Sequence, residues 1–478
     1  MNLSPYASAL DHIAALEQGT VTSRALLEDA VKRHKALKST INAVVVMDLN
    51  RARRDADAAD ARRAKGERLG PLGGLPMTVK ECFDLSGHPA TAANAILSRR
   101  NKNCHDAPLV AHLRKAGAII WGKTNVPFML GDGQTFNRIW GTTNNPYDTA
   151  RTPGGSSGGA AAALAAGITP LELGSDIGGS LRNPAHYCGV AALKPTWGVL
   201  NQAGHVPPLP GGPSDTDLNV AGPMARTIGD LRLLWRVLSG RWTPAEPATP
   251  KLALWTQEEG WPVSREVSAQ VLAAAKRLED SGVSITGAKP DIATAELTDT
   301  YMRLLCAVLA HDLPKGARLF LNALRPVNRF LSARTAQTFA QSRYAYYLTL
   351  TPGEVALAQQ SRDVMKRAVE RFFDAYTALI LPVAPTPAFA HMQGTSPFAR
   401  PYQVDGERRP YFSWLHWIVM ASALHLPAVS VRCGQSAAGL PIGLQIVGPW
   451  GSEERLLDIA ELVERQSGGF QPPPIDKS

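Results

Sequence analysis

The sequence predicts an α/β layered protein built on a largely parallel or mixed sheet. Stretches with apolar residues spaced at about 3.6 alternate with short apolar runs of strand length. Glycine and proline punctuate the junctions between them. Hydrophobic residues make up 45% and charged residues 19% of the 478, a balance that lets the chain bury a core. The length exceeds the roughly 250–300 residues at which single cores usually stop growing, so one large domain or two intimate ones are both allowed. No internal repeat is present.

The elements follow in order. Residues 7–37 keep the helical period with a break at Gly19, and Thr22 or Ser23 can cap the second helix. INAVVVMD reads as a strand. RARRDADAADARRAKGER reads as a solvated helix in which Asp55, Asp57, Asp60 and Glu67 alternate with basic residues and suit i,i+4 ion pairs. GPLGGLPMTVKECFDLSG is a loop that enters a short strand carrying Lys80. A helix from about Asp106 stops at Gly117, and a buried strand follows. Another helix runs from about Ala160 to Gly167, ITPLELGSD is a strand, IGGSLRNPA is a turn, and HYCGVAALKP is a helix or loop. From about 240 to 415 the chain is helical and rich in arginine and aromatics, with a strand inside FFDAYTALILPVAPTP. LHLPAVSVRC and GLPIGLQIVGP are apolar strands. In SEERLLDIAELVERQ, Ser452 serves as N-cap, and Glu453 and Glu454 place negative charge where the helix dipole favours it.

Several function classes are disfavoured. A net charge of +9 raises the question of nucleic acid, but the basic residues are interspersed with acidic ones, so no nucleic-acid partner is expected. No window offers the ~20 apolar residues of a membrane span. The opening MNLSPYASALDHIAALEQG carries Asp11, His12 and Glu17 within its apolar stretch, unlike a signal peptide. Cys82, Cys104, Cys188, Cys306 and Cys433 are far apart and form no C-x-x-C pair, as expected of small core residues in a reducing, cytoplasmic compartment.

RTPGGSSGGAAAALAAG, Arg151 to Gly167, invites several readings. A P-loop would need a lysine after its last glycine, and none is present. A nucleophile elbow centred on Ser157 would need a strand entering the turn, whereas NNPYDTARTP is turn-forming. A plain linker would not normally lead at once into a helix and a buried strand that ends in a second Gly-Gly-Ser. The remaining reading joins two serines. Ser156 precedes a helix N-terminus, Ser180 follows a strand in a Gly178-Gly179 turn, and one helix and one strand between them bring the chain out and back. Serine needs a proton acceptor, and Lys80 on its buried strand can become the neutral amine that serves; pairing with Glu81 or reaching the surface is the alternative. The linker and the two-serine readings both stay open on these grounds.

With those three residues in view, the chain closely resembles the amidase signature family. The resemblance lies in GGLPMTVKECFDLSG, GKTNVP, GTTNNPYDTARTPGGSSGGAAAALAAG, LELGSDIGGSLRNPAHYCGVAALKPT and GLPIGLQIVGP, and covers nearly the whole chain. It implies a central mixed, largely parallel sheet with helices on both faces. It also implies a single domain over 1–478, with a core at about 70–230, C-terminal strands at about 420–470 returning to it, and a variable helical region at about 240–415.

For the chemistry, the resemblance implies a Ser-Ser-Lys triad: Ser180 as nucleophile, Ser156 as bridging serine behind a cis peptide bond, and Lys80 as base. Backbone N–H groups of Ile177, Gly178, Gly179 and Ser180 would hold the oxyanion. Ser157, Ser175 and Asp176 would orient the network, and Arg182 would secure the loop. Neither metal nor organic cofactor is implied. The chain departs from the family's commonest TNMPEFA block, reading TNVPFMLGDGQTFNRIWG instead. That block lines the acyl side of the pocket in relatives, so Phe128, Met129, Leu130, Gln134, Phe136 and Trp140 suggest a bulky, largely apolar small-molecule amide. Carbamates and esters share the acyl-enzyme route. The glutamine-hydrolysing subunit of a tRNA-dependent amidotransferase is the rival within the family, and an inactive binding scaffold is the rival outside it. A monomer or homodimer is expected.

Overall fold

The computed structural model describes residues 3–99, 104–209, 215–241 and 249–476. Eleven strands form one mixed sheet. In chain order they are β1 (Val44–Met47), β2 (Pro76–Lys80), β3 (Ile119–Thr124), β4 (Leu171–Asp176), β5 (Ala191–Lys194), β6 (Val220–Ala225), β7 (Lys251–Leu254), β8 (Ser284–Gly287), β9 (Ala378–Pro382), β10 (Ala428–Gln435) and β11 (Pro441–Val447). Across the sheet the order is β1-β3-β2-β4-β6-β5-β10-β11-β9-β7-β8. Parallel pairing runs through β3-β2-β4 and through β9-β7-β8. Antiparallel pairs join the two blocks, and the β10–β11 hairpin returns from the C-terminus to pair with β5.

Helices cover the sheet on both sides. They are α1 (Ala9–Glu17), α2 (Ser23–Ile41), α3 (Leu49–Ala64), α4 (Pro108–Lys115), α5 (Gly158–Ala165), α6 (Arg182–Cys188), α7 (Ile228–Ser239), α8 (Arg265–Asp280), α9 (Thr294–His311), α10 (Lys315–Ala323), α11 (Arg325–Arg334), α12 (Gln341–Tyr347), α13 (Pro352–Phe373), α14 (Val419–Ala423) and α15 (Glu453–Ser467). Side chains of α4, α7, α8 and α15 share one core with Val79, Leu171, Leu173 and Ile446 of the sheet. A second core gathers α9, α13 and α14 with Leu379 and Leu381. Helix α5 is apolar on every side and entirely buried, as a helix enclosed all round must be.

Thr22 caps α2 as expected, accepting from the Ala25 N–H at 3.1 Å. Other expectations need correction. Within α3, Arg51 pairs with Asp55 at i,i+4 as expected, at 3.7 Å, but Asp57 and Arg53 pair outside the helix: Arg24 binds Asp57 at 2.7 Å and Arg53 binds Glu28 at 2.8 Å, tying α3 to α2. Ser452 occupies the N-cap of α15 but makes no capping bond, because its hydroxyl donates to the Pro449 carbonyl at 2.7 Å. The segment after Cys188 that reads as helix or loop contains β5, and the region read as helical from 240 to 415 supplies β7 and β8 as well as β9. Cys82, Cys188, Cys306 and Cys433 are buried free thiols. Among the described residues no helix is long and apolar enough to cross a membrane.

Candidate active site

Lys80 ends β2, the strand between β3 and β4, and its side chain is wholly buried. Its Nζ lies 2.8 Å from Ser156 Oγ, 2.9 Å from Ser175 Oγ and 3.3 Å from the Ser175 carbonyl oxygen. Nζ thus reaches three oxygens, which suits the three N–H groups of an ammonium; in the neutral amine the lone pair can face the Ser156 hydroxyl instead. Burial pushes the amine down to about 8, against the opposing pull of Cys82, Asp176 and Glu172. Neither surface escape nor pairing with Glu81 describes this lysine, since Glu81 binds Lys123 at 3.3 Å and Thr91 at 3.0 Å.

Ser156 stands two residues before α5, and the Gly155–Ser156 peptide bond is cis. The glycines around it are required by close backbone approach. A Cβ on Gly155 would lie 2.4 Å from the Asp132 carbonyl oxygen, and one on Gly159 would lie 2.4 Å from the Asn125 nitrogen. Ser157 joins the two serine turns: its N–H donates to the Ser180 carbonyl at 3.2 Å, and its hydroxyl donates to the Ser175 carbonyl at 3.3 Å. No named strand enters this turn, so the elbow geometry is absent.

The second turn hangs from Asp176 at the end of β4. Its carboxylate accepts from the Gly179 N–H at 2.7 Å and the Leu181 N–H at 3.1 Å, and it pairs with the buried Arg182 at 3.0 Å. Burial alone would raise the Asp176 carboxyl; Arg182, Lys194 and the Leu181 N–H outweigh it and hold the group at about 2. Arg182 also donates to the Ile418 carbonyl at 3.0 Å, to Gln445 Oε1 at 3.2 Å and to Ser422 Oγ at 2.7 Å. These bonds tie the second turn to α14 and β11.

One expected oxyanion donor is corrected. The Gly179 N–H is spent on Asp176, which leaves the N–H groups of Ile177, Gly178 and Ser180 without a protein acceptor among the described residues. Ser180 is 6% exposed, against 1% for Ser156 and none for Lys80, so the accessible end of the set is Ser180. No hydrogen bond closes Ser156 to Ser180 among the described residues. Lys80 is hydrogen-bonded to Ser156, and Ser180 is hydrogen-bonded to neither side chain among the described residues.

The six side chains expected to line a pocket separate. Phe128 is 59% exposed. Met129 and Leu130 pack against a small cluster with Ala90, Ala92, Leu97 and Val206. Gln134 is buried with its carboxamide bound to the Met392 backbone on both sides, at 2.8 and 2.9 Å, so it clamps a loop and cannot read a substrate. Phe136 lies beneath the Arg400 guanidinium at 5.7 Å. Trp140 is half-buried, and its carbonyl accepts from Asn42 at 2.7 Å.

The sequence reading missed the residues that touch the turn at Ile177–Gly179. Tyr301 of α9 donates to the Ile177 carbonyl at 3.3 Å. Its hydroxyl and Leu415 fill the space beside Gly178, while Ile418 packs on Gly179. Behind them, Asp132 is bound by Arg400 at 2.7 Å and by the Tyr411 hydroxyl at 2.6 Å. The aromatic run YFSWLHWIV was the available signal, but nothing in it specified contact with a turn far back in the chain. Among the described residues no group of three or more His, Cys, Asp or Glu is placed to hold a metal.

Residues 25–457 match the family described as Amidase. The chain is 32% identical to a glutamyl-tRNA(Gln) amidotransferase subunit from Synechococcus sp. (strain CC9605), over 95% of each chain. It is also 32% identical to an indoleacetamide hydrolase of Bradyrhizobium diazoefficiens, over 96% of this chain and 86% of that one. A crystal structure described as an amidase superposes with a TM-score of 0.81 at 27% identity, covering 97% of this chain and all of the other.

Proposed function

Because the chain belongs to the amidase signature family, whose members act on C–N bonds, we propose that it is a stand-alone amidase working through an acyl-enzyme on Ser180. The observation that carries this reading is the buried Lys80 amine, lowered toward neutrality and 2.8 Å from Ser156.

In the proposed reaction, neutral Lys80 takes the Ser156 proton as Ser156 takes that of Ser180, and Ser180 Oγ attacks the amide carbonyl. Substrate entry would turn the Ser180 hydroxyl toward Ser156 and close the open link. The developing oxyanion accepts from the N–H groups of Ile177, Gly178 and Ser180; removing one such donor elsewhere costs roughly 3–4 kcal/mol. Ser156 then protonates the leaving nitrogen, the C–N bond breaks, and the amine departs. Water, deprotonated through the same hydroxyl, attacks the acyl carbonyl and frees Ser180.

The substrate class is read from what surrounds the turn. Leu415, Ile418 and Tyr301 abut it, and Trp414 lies over Gly133 nearby, which favours a bulky apolar or aryl amide over a free amino acid. A second reading, the glutamine-hydrolysing component of an amidotransferase, is favoured by the similarity to such proteins over nearly the whole chain. Incubation with an aryl acylamide, an aryl carbamate, an aryl ester and free glutamine separates them. Anilide cleavage is the expected result, and glutamine hydrolysis without anilide cleavage overturns the choice.

A further inference from the structure

Glu172 lies inside β4, wholly buried, with no ion-pair partner among the described residues; the hydroxyls of Thr78 and Thr124 are the side-chain polar groups that face its carboxyl. Such a group is uncommon, because burying an unpaired carboxylate is costly. The strand register places it. Glu172 stands opposite Thr78 of β2, and Lys80, two residues further along β2, projects from the same face. Helix α5 covers that face and brings no titratable side chain. The Thr124 hydroxyl also reaches the Val79 carbonyl, at 3.5 Å. On β6 the opposing residue is Met224.

The other charged or titratable groups around the pair are committed. Asp176 holds Arg182, and Lys123 holds Glu81. Arg226, just past β6, donates to the Leu164 and Thr169 carbonyls. Burial pushes the Cys82 thiol up to about 11. Cys82 and Asp176 act on the Lys80 amine more strongly than Glu172 does, and the buried His205, its imidazole pushed down to about 3, lies in the same field; of these groups Glu172 is the one that changes charge in the same range as Lys80.

We infer that Glu172 is a positioning residue for the base: it competes with Lys80 for release of a proton and delays the neutral amine to mildly alkaline pH. The inference rests on Lys80 being the base. Burial moves the Glu172 carboxyl up and the Lys80 amine down, both to about 8. At lower pH the pair is a carboxylic acid and an ammonium. Loss of the first proton from Lys80 gives the working amine beside an uncharged acid. Loss from Glu172 instead gives a carboxylate facing an ammonium, which mutual attraction favours and which cannot take a proton from Ser156. The two groups therefore titrate as a unit, and the amine is freed in full only when the second proton leaves.

Glu172→Gln preserves shape and removes the competing proton. The acidic limb of kcat/KM should move to lower pH by about 0.3–1 unit, which raises the rate on that limb roughly two- to tenfold. A limb that stays in place in a folded, active Gln variant overturns the inference. Infrared titration of the full-length protein gives a second reading that needs no turnover. A buried carboxylic acid carbonyl band, absent from Glu172→Gln, should be present near pH 6 and disappear as pH rises through about 8. In Lys80→Met, where the ammonium is gone, its loss should shift to higher pH. A carboxylate already ionised at pH 6, or a band indifferent to Lys80→Met, overturns the inference. Wild-type rates in Lys80→Met would instead overturn the assignment of the base, so the two failures are distinct.

Discussion

The Tyr301 hydroxyl stands 2.7 Å from where a Cβ on Gly178 would sit. Helix α9 therefore sets the space available to the turn at Ile177–Gly179. Gly178 has no left-handed φ, so alanine there meets a steric obstacle alone. Gly178→Ala should lower kcat by about ten- to a hundredfold through displacement of an oxyanion donor. Tyr301→Phe in that background removes the obstructing oxygen and should recover part of the loss; no recovery in anilide assays would count against this contact.

The buried Asp176–Arg182 pair should be decisive for folding. Asp176→Asn leaves a guanidinium buried without its counter-charge, at an expected cost of roughly 3–5 kcal/mol and a matching fall in Tm. The pH dependence has a definite sign. A carboxyl ordinarily near 3.8 and held at about 2 in the folded chain contributes stability above about pH 4 that is lost as pH falls through 2. Denaturant midpoints measured across this range should fall with acid, and less steeply in Asp176→Asn.

Lys80 gives the pH dependence of activity. With its amine lowered to about 8, kcat/KM should rise with pH and level off above that value, because the protonated form cannot act as base. Lys80→Met should lose roughly 10²–10⁴-fold in kcat. A profile flat from about pH 5 to 9 would contradict the assignment.

Arg400 carries a prediction away from the chemistry. It is 4% exposed, pairs with Asp132 and lies over the Tyr411 ring at 4.5 Å, so it fastens the loop beneath Gly155 to the late segment. Arg400→Met should lower Tm by an amount that Asp132→Asn in the same chain does not add to, since both break one pair. Additive losses would argue against a shared clamp.

Lys80, Ser156 and Ser180 could be singled out as candidates because each sits in a local pattern of glycine, serine or buried strand. Tyr301, Leu415 and Ile418 could not, because their role comes from contact with a turn more than a hundred residues earlier. Strand β6 was not anticipated, since Gly222-Pro223 interrupts its apolar run; the glycine is needed because a Cβ there would lie 2.3 Å from the Leu193 carbonyl oxygen. Strands β7 and β8 are four residues each, too short for an alternating pattern to stand out. The Gly179 N–H looked free until the carboxylate of Asp176 could be placed beneath it.

Covalent attachment of the acyl group is the central claim. Rapid acid quench of the enzyme with an aryl ester or anilide, followed by peptide mass mapping, tests it most directly. The account predicts the acyl mass on the peptide at Ser180 and its absence in Ser180→Ala. Acylation at another residue, or turnover by Ser180→Ala at the wild-type rate, would contradict it.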